Sequence, residues 1–112
     1  TMKKFKCSVC QYVHDGENPP DKCPRCQAPK EKFVALSADQ SKLVDRSRVT
    51  NALHVDLAKA LEKARAIAES GIKDSLDPAC VAVFTKAKNE AELLMQFIKA
   101  EIEVHVGKGK WG

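Results

Sequence analysis

The hydrophobic positions divide the chain into two parts with different patterns. In residues 37–112, apolar residues recur every three or four positions, which is the spacing that places side chains on one side of an α-helix. Residues 1–36 lack this period and contain four of the five prolines. The pattern therefore predicts a small, turn-rich N-terminal domain over residues 1–36 and an all-α region over residues 37–112.

Capping signals divide the second part into two helices. Ser37, followed three residues later by Gln40, has the form of a capping box at a helix start. Gly71 is a suitable helix stop, and Asp77 followed by Pro78 provides a new cap and a favourable first helical residue. The sequence predicts a helical hairpin with helices at about 38–70 and 78–106, followed by a short C-terminal tail.

The apolar residues of these helices form more stripes than a lone hairpin needs. The first helix has one stripe, made of Val49, Leu53, Leu57, Ala60, Leu61, Ala64, Ile67 and Ala68. The second has two, one made of Cys80, Phe84, Ala87, Ala91, Leu94, Ile98, Ile102 and His105, and one made of Leu93, Phe97, Ala100 and Val104. Because a helix in a hairpin buries one stripe, the second stripe predicts another partner, either the N-terminal cysteine-containing part of the chain or a second subunit. A homodimeric four-helix bundle is the simplest closed solution.

The N-terminal part is too short to bury much of a core of its own. Short extended segments are expected at Lys3–Lys6, Tyr12–His14 and Lys32–Leu36. A domain of this size usually needs a disulfide or a metal, and four of the five cysteines lie between Cys7 and Cys26.

Cysteine spacing and cellular context favour a metal. Neither a secretion leader nor an apolar run of about 18 residues is visible, so we expect a cytoplasmic protein without a membrane partner. In that compartment two Cys-x-x-Cys steps indicate metal ligands rather than disulfides. The predicted ligands are Cys7, Cys10, Cys23 and Cys26. Four thiolates suit zinc or iron, and thiolate chemistry alone does not choose between them.

Residues 2–36 resemble a known family. The segment FKCSVCQYVHDGENPPDKCPRCQAPKEKFVAL is similar to the short rubredoxin-like domain of rubrerythrins. The matching features are an aromatic residue two positions before the first Cys-x-x-Cys step, a following Tyr, the Lys-Cys-Pro-x-Cys step and the ending APKEKF. Its position ahead of a helical region is similar to that in reverse rubrerythrins. The helical region itself has no securely recognised family.

This resemblance implies a function. It implies one iron per chain, cycling between the ferric and ferrous states on the four cysteines, and a one-electron carrier rather than an enzyme with catalytic residues. It also implies a redox partner, such as a flavoprotein or a peroxide- or oxygen-detoxifying system in an anaerobe. Two alternatives remain: a zinc-ribbon adaptor, and a degenerate rubrerythrin with peroxidase activity.

The sequence departs from the family in two places. Gln11 and Gln27 follow the second cysteine of each step, where the family usually has a glycine that adopts positive φ. In addition, no Glu-x-x-His motif occurs in the helical region, although rubrerythrin helices use such motifs to bind two irons. A di-iron centre within one chain is therefore not expected.

Charge and the remaining reactive residues give little further information about partners or ligands. The net charge is +4, and residues 1–36 contribute +3 of it, which is weak support for a nucleic-acid partner. The cations near the cysteines are either solubilising or a docking face for an acidic redox partner: Lys3, Lys4, Lys6, Arg25, Lys30 and Lys32. Cys80, His54 and His105 are interpreted as packed or capping residues rather than ligands.

Overall fold

The computed structural model describes all 112 residues, and it contains a small sheet followed by two long helices. Three short strands, β1 (Lys4–Cys7), β2 (Val13–Asp15) and β3 (Phe33–Ala35), form an antiparallel sheet in the order β2-β1-β3. The helices are α1 (Ala38–Asp74) and α2 (Pro78–Gly107). The predicted fold class is confirmed: a small N-terminal sheet carrying the cysteines precedes a helical hairpin. Neither helix has a stretch long and apolar enough to cross a bilayer.

Both helix starts use the predicted caps. The Ser37 N–H donates to Gln40 Oε1 at 2.8 Å, and the Gln40 N–H donates to Ser37 Oγ at 3.1 Å, which completes the capping box. At the second helix, the Cys80 N–H donates to Asp77 Oδ1 at 2.7 Å. These bonds satisfy backbone donors that have no partner inside the helix.

The chain forms two compact units. The cysteine unit consists of Thr1–Thr50 and Val106–Gly112, and the hairpin unit consists of Asn51–His105. The boundary predicted after residue 36 follows the change from strand to helix. The compact division instead falls within α1, whose first turns belong to the cysteine unit.

A charge network holds the cysteine unit together. Lys4 is 1% exposed, and its Nζ lies 2.8 Å from Asp45 Oδ1 and 3.2 Å from Asp15 Oδ1, close ionic contacts that lack hydrogen-bond alignment. The Arg48 guanidinium donates to both oxygens of Asp15, at 2.6 and 3.0 Å, and its Nε donates to the Gly112 carbonyl at 2.6 Å. The sheet, the start of α1 and the tail are therefore joined by one set of ion pairs. The interpretation of Lys4 as part of a docking face is wrong, because its charge is buried and paired.

Asp15 should make the stability of this unit depend on pH. Its hydrogen bond with Arg48, reinforced by Lys4, lowers the pKa of Asp15 below 3.8. Because the folded-state pKa is the lower one, the stabilisation is present above about pH 4 and is lost as pH falls through the depressed value. Asp15→Asn should lower the free energy of unfolding by about 1–2 kcal/mol at pH 7, less than for a fully buried pair because the carboxylate is partly exposed.

The measurement is chemical unfolding between pH 2 and 7, in which Asp15→Asn should flatten the acid limb. Asp21, an exposed aspartate of the same unit, supplies the matched control Asp21→Asn, which should keep the wild-type profile. An unchanged acid limb in Asp15→Asn would contradict this account of the network.

The hairpin unit is packed along one line of each helix. The inward-facing residues follow alternating steps of three and four, as in a coiled coil. On α1 they are Asn51, His54, Ala58, Leu61, Arg65, Ala68 and Ile72, and on α2 they are Val81, Phe84, Lys88, Ala91, Met95, Ile98, Ile102 and His105. The apolar stripe predicted for the first helix coincides with this line only at Leu61 and Ala68, and most of its large members are exposed. Small and polar residues occupy much of the line, which is why hydrophobicity alone did not identify it.

Gly71 lies inside α1 instead of ending it. A Cβ built on Gly71 would lie 2.3–2.4 Å from three ring atoms of Phe84, including Cγ, so the glycine makes room for the Phe84 ring of α2. The helix consequently continues to Asp74, past the predicted stop. The close approach of the two helices requires a glycine at this position. In the sequence alone, this glycine looks the same as one that ends a helix.

Gly71→Ala should therefore destabilise the hairpin although alanine is the better helix former. The gain in helix propensity is about 1 kcal/mol. Displacing the whole Phe84 ring should cost more, about 2–4 kcal/mol, because Cγ is fixed close to the backbone. We expect a net loss of about 1–3 kcal/mol by thermal or urea unfolding. Gly107→Ala is the control, since its Cβ would meet no atom within 4 Å. Stabilisation by Gly71→Ala would show that the ring moves freely.

Candidate metal centre

The two Cys-x-x-Cys steps fold into two turns of the same geometry. In the first, the Gln11 N–H donates to the Cys7 carbonyl at 2.9 Å, and in the second the Gln27 N–H donates to the Cys23 carbonyl at 2.8 Å. Each turn is closed at its base by a second bond, from the Cys7 N–H to the Tyr12 carbonyl at 2.8 Å and from the Cys23 N–H to the Ala28 carbonyl at 2.9 Å. The repeated sequence phrase thus corresponds to a repeated local structure.

Gln11 and Gln27 adopt the backbone conformation that glycine usually supplies. Their φ angles are +71° and +65°. This conformation costs a non-glycine residue about 1 kcal/mol. It directs the next backbone N–H towards a sulfur: the Tyr12 N–H donates to the Cys10 thiol and the Ala28 N–H to the Cys26 thiol. The turn geometry is therefore kept although both glycines are replaced.

The four sulfurs meet at one place. The Cys7 and Cys26 Sγ atoms are 3.7 Å apart, the Cys10 and Cys23 Sγ atoms are 3.6 Å apart, and all four lie within 4.8 Å of one another. No two are bonded, so all are free thiols. The four predicted ligand residues are thus brought together by the fold.

These distances fit a metal better than a disulfide. A disulfide requires an S–S distance of about 2.05 Å. A tetrahedron of thiolates with metal–sulfur bonds of about 2.3 Å has sulfur–sulfur edges of about 3.8 Å. The observed 3.6 and 3.7 Å are close to that edge. The donor set therefore fits one zinc or iron ion, and Cys7, Cys10, Cys23 and Cys26 are the residues that would hold it.

The surroundings push two of the thiol pKa values apart. The Tyr12 N–H, with help from Arg25 and neighbouring sulfurs, lowers the pKa of Cys10 to about 6. The Ala28 N–H acts in the same direction on Cys26, but burial and the other three sulfurs raise the pKa of Cys26 to about 12. Adjacent thiolates repel one another, so one ionises at the expense of the next.

The second cysteine of each step forms the accessible edge of the site. Cys7 and Cys23 are 0% exposed, whereas Cys10 and Cys26 are half-buried. Arg25, one of the predicted cations, is exposed beside this edge, and its Nη1 donates to the Cys10 carbonyl at 3.2 Å. The Cys10 and Cys26 sulfurs are therefore the part of the cluster nearest to solvent, whereas Cys7 and Cys23 lie on its buried side.

The other singled-out residues lie outside this cluster. His14 is near Tyr12, whose hydroxyl is 3.5 Å from His14 Nδ1. In the hairpin unit the rings of His54 and His105 are 5.8 Å apart, and His105 contacts Asn51 and Glu101 at 2.7 and 3.1 Å. Half-buried Cys80 lies in the first turn of α2. Both ring nitrogens of the buried His105 therefore have a polar partner within the hairpin unit.

Comparison with known proteins places this site in a defined class. Residues 5–34 match a sequence model of the rubrerythrin, rubredoxin-like domain, and the segment carries that domain. The chain is 45% identical over 65 residues to reverse rubrerythrin-1 of Clostridium acetobutylicum, a match covering 58% of this chain and 35% of the relative. It is 46% identical over 33 residues to rubrerythrin of Nitratidesulfovibrio vulgaris, covering 30% of this chain and 17% of the relative. No solved structure matches the chain.

The extent of these matches limits what they show. The chain spans about a third of the length of the first relative and less of the second. A 65-residue match cannot fit within residues 1–34, so the similarity to reverse rubrerythrin-1 includes part of the helical region. The predicted resemblance of the N-terminal segment is confirmed, and the helical region remains unassigned to a family.

Gln-to-Gly replacement tests the account of the two turns. In the double variant Gln11→Gly with Gln27→Gly, relief of strain is worth about 1 kcal/mol per site, and the greater freedom of glycine in the unfolded chain offsets much of it. We expect metal stoichiometry to be unchanged and stability to change by less than about 1 kcal/mol. The measurement is metal content with thermal unfolding of the loaded protein. Gln96→Gly, within α2, is the contrasting control and should destabilise. A large loss of metal in the double variant would contradict the account.

Proposed function

We propose that this protein is a one-electron carrier whose redox centre is a single iron held by Cys7, Cys10, Cys23 and Cys26. The observation that supports this most directly is the set of four free sulfurs, spaced for a tetrahedral ion, in a rubredoxin-like domain. When bound, the iron supplies the ferric/ferrous couple.

The residues of the chain supply the conditions for such a centre. The two rigid turns fix the four sulfurs before and after electron exchange, which keeps reorganisation small. The N–H groups of Tyr12 and Ala28 stabilise charge on Cys10 and Cys26. Because all four positions of a tetrahedral ion are filled by protein sulfur, no position is open for peroxide or another substrate. The proposal is therefore a carrier rather than an enzyme.

Metal content and colour of the natively produced protein test the proposal. We expect one iron per chain, a thiolate-to-iron charge-transfer spectrum that bleaches on reduction, and no peroxide turnover. Zinc in recombinant protein would not decide the question, because the same four sulfurs accept zinc. Stoichiometric zinc in colourless protein from an iron-replete native source would instead support the zinc-ribbon adaptor. More than one metal per chain with peroxide turnover would support the degenerate peroxidase.

The partner follows from the proposed role. A carrier of this kind needs an electron donor and an acceptor, and the resemblance to rubrerythrins favours a flavoprotein or a peroxide- or oxygen-detoxifying system in the cytoplasm of an anaerobe. Reduction of the iron-loaded protein by a purified flavoprotein reductase with a nicotinamide donor is the direct assay. Failure of such reductases, together with reduction by an unrelated donor, would remove this pairing.

We further propose that the hairpin unit forms a homodimer, as the second apolar stripe predicts. Among its large apolar residues only Ile98 is buried, whereas ten are exposed: Leu53, Val55, Leu57, Ile67, Leu76, Val83, Leu93, Leu94, Phe97 and Val104. A soluble monomer rarely leaves so many large apolar residues exposed on one small unit.

Many of these residues share one face. Each helical residue is rotated by about 100° from the one before it, so residues one position before the inward line lie to one side of that line. Because α1 and α2 are antiparallel, this line of residues on α1 and the corresponding line on α2 lie on the same side of the hairpin. On α1 this line contains Leu53, Leu57, Ala60, Ala64 and Ile67, and on α2 it contains Val83, Ala87, Leu94, Phe97 and Val104. Two copies meeting on this face would form a closed four-helix bundle. A monomeric mass in sedimentation equilibrium at about 10 μM would contradict the dimer.

A further inference from the structure

Two neighbouring clefts surround Trp111 in the cysteine unit. The first, of about 450 Å³, is lined by Cys10 together with Lys6, Gln11, Tyr12, Arg25 and Trp111. The second lies against the start of α1 and shares Lys6 and Trp111 with the first. The metal cluster thus reaches a recessed surface at its accessible edge, through Cys10.

The charge of this surface is one-sided. Lys6, Arg25 and Lys108 line the two clefts, and no Asp or Glu does. The other cations of the sheet region are differently placed: Lys3 pairs with Glu17 at 3.4 Å, and Lys4 is buried between two aspartates. Lys6 and Lys108 form no ion pair within the chain. Lys6 and Arg25 therefore line the cleft that contains Cys10, and Lys6 and Lys108 line the neighbouring cleft.

The tail is held in place to form part of this surface. The Gly112 carbonyl accepts from Arg48 Nε at 2.6 Å, and a Cβ on Gly112 would meet Val44 at 2.7 Å and Val13 at 3.1 Å. Trp111, immediately before this anchored residue, is 42% exposed and lines both clefts. An exposed aromatic ring flanked by cations is typical of a binding surface, since Trp is enriched at interface centres.

We propose that these two clefts are the docking surface for an acidic segment of the protein's redox partner, with Trp111 as the apolar contact and Lys6 and Lys108 as the charge contacts. The inference rests on the proposed function for the nature of the partner. Its chemistry follows from the surface: unpaired cations attract and orient carboxylates. Docking here brings a partner to Cys10, the half-buried cysteine that lines the first cleft.

The test uses the single tryptophan as its reporter. Zinc-loaded full-length protein is titrated with a decaglutamate peptide at about 20 mM salt while Trp111 emission is followed, and a Gly-Ser peptide of equal length is the neutral control. We expect saturable binding of decaglutamate that weakens strongly at about 150 mM salt, where exposed charges are screened beyond about 8 Å.

Matched variants locate the binding. Lys6→Gln with Lys108→Gln should weaken decaglutamate binding by about threefold or more, the effect of two charge contacts at the protein surface. Lys42→Gln with Lys86→Gln removes the same net charge at two exposed lysines that line neither cleft, and should leave affinity within about twofold of wild type by long-range charge alone.

Three outcomes would overturn the proposal. These are an absence of saturable decaglutamate binding, equal weakening by the two variant pairs, and tighter binding of a ten-nucleotide oligothymidine than of decaglutamate at the same salt, which would assign the surface to nucleic acid. Because the titration uses the zinc form, it gives an answer whether or not iron is the native metal. If the native protein contained zinc, the proposed electron-carrier function would be wrong. The result of the decaglutamate titration would still hold.

Discussion

Replacing Cys7 with alanine is expected to abolish stoichiometric metal binding and to unfold the N-terminal sheet. Cys7 is fully buried, ends the central strand β1, and places its sulfur 3.7 Å from that of Cys26. Structural four-thiolate sites contribute on the order of 10 kcal/mol to folding, which is comparable to the whole stability of a domain. The sheet has little apolar core to compensate, since Val13 is its one buried apolar side chain apart from cysteine.

Metal analysis after gel filtration and the circular dichroism of the purified variant measure this effect. Cys80→Ala is the matched control: it removes the remaining thiol, which lies in the hairpin unit, and should keep full metal content. Helical signal from α2 should persist in Cys7→Ala, because the hairpin unit contains none of the four cysteines. Retention of one tightly bound metal by the variant would show that the four sulfurs do not act together.

Phe97→Glu is expected to convert the proposed dimer into monomers. Phe97 is 58% exposed on the apolar face that α1 and α2 share. Burying a phenylalanine at an interface contributes about 2–3 kcal/mol, and the two-fold axis doubles this contribution. Placing two carboxylates in that interface adds a desolvation penalty and repulsion. The dissociation constant should rise by at least about a thousandfold, equivalent to roughly 4 kcal/mol.

Sedimentation equilibrium over a range of concentrations measures the shift. Gln96→Glu adds the same charge at the preceding residue, which is rotated away from the proposed interface, and should leave the mass of the assembly unchanged. Equal dissociation by both variants would indicate a general charge effect rather than an interface at Phe97. Thermal unfolding should also become independent of protein concentration in Phe97→Glu, because a dimer's stability follows mass action and a monomer's does not.

The sequence predicted local features of the fold well because their causes are local. The capping box at Ser37 and Gln40 and the cap at Asp77 depend on residues three positions apart, and each formed as expected. The spacing of the cysteines likewise determines that each pair can approach one ion. The positive φ of Gln11 and Gln27 follows from the same turn geometry, despite the unusual residue type.

Features that depend on distant partners could not be predicted in the same way. Gly71 resembles a helix stop until Phe84 is placed against it. Lys4 resembles a surface lysine until Asp15 and Asp45 enclose its ammonium group. Trp111 is separated from Cys10 by most of the chain, and only the fold brings the two residues to the same cleft. Of the candidate site, the ligand set was therefore accessible from sequence, whereas the surface around it was not.

The discontinuity of the cysteine unit has a consequence for its order of unfolding. Its last segment, Val106–Gly112, is separated from the rest of the unit by Asn51–His105. While both helices are intact, the chain between the two segments is folded as the hairpin. If the helices melted, returning the segment to its place would require closing a flexible loop of that length, at an entropic penalty of about 3–4 kcal/mol. Melting of the hairpin should therefore release the tryptophan end of the chain while the four sulfurs still hold their ion, so the surface beside the cluster would be lost before the cluster itself.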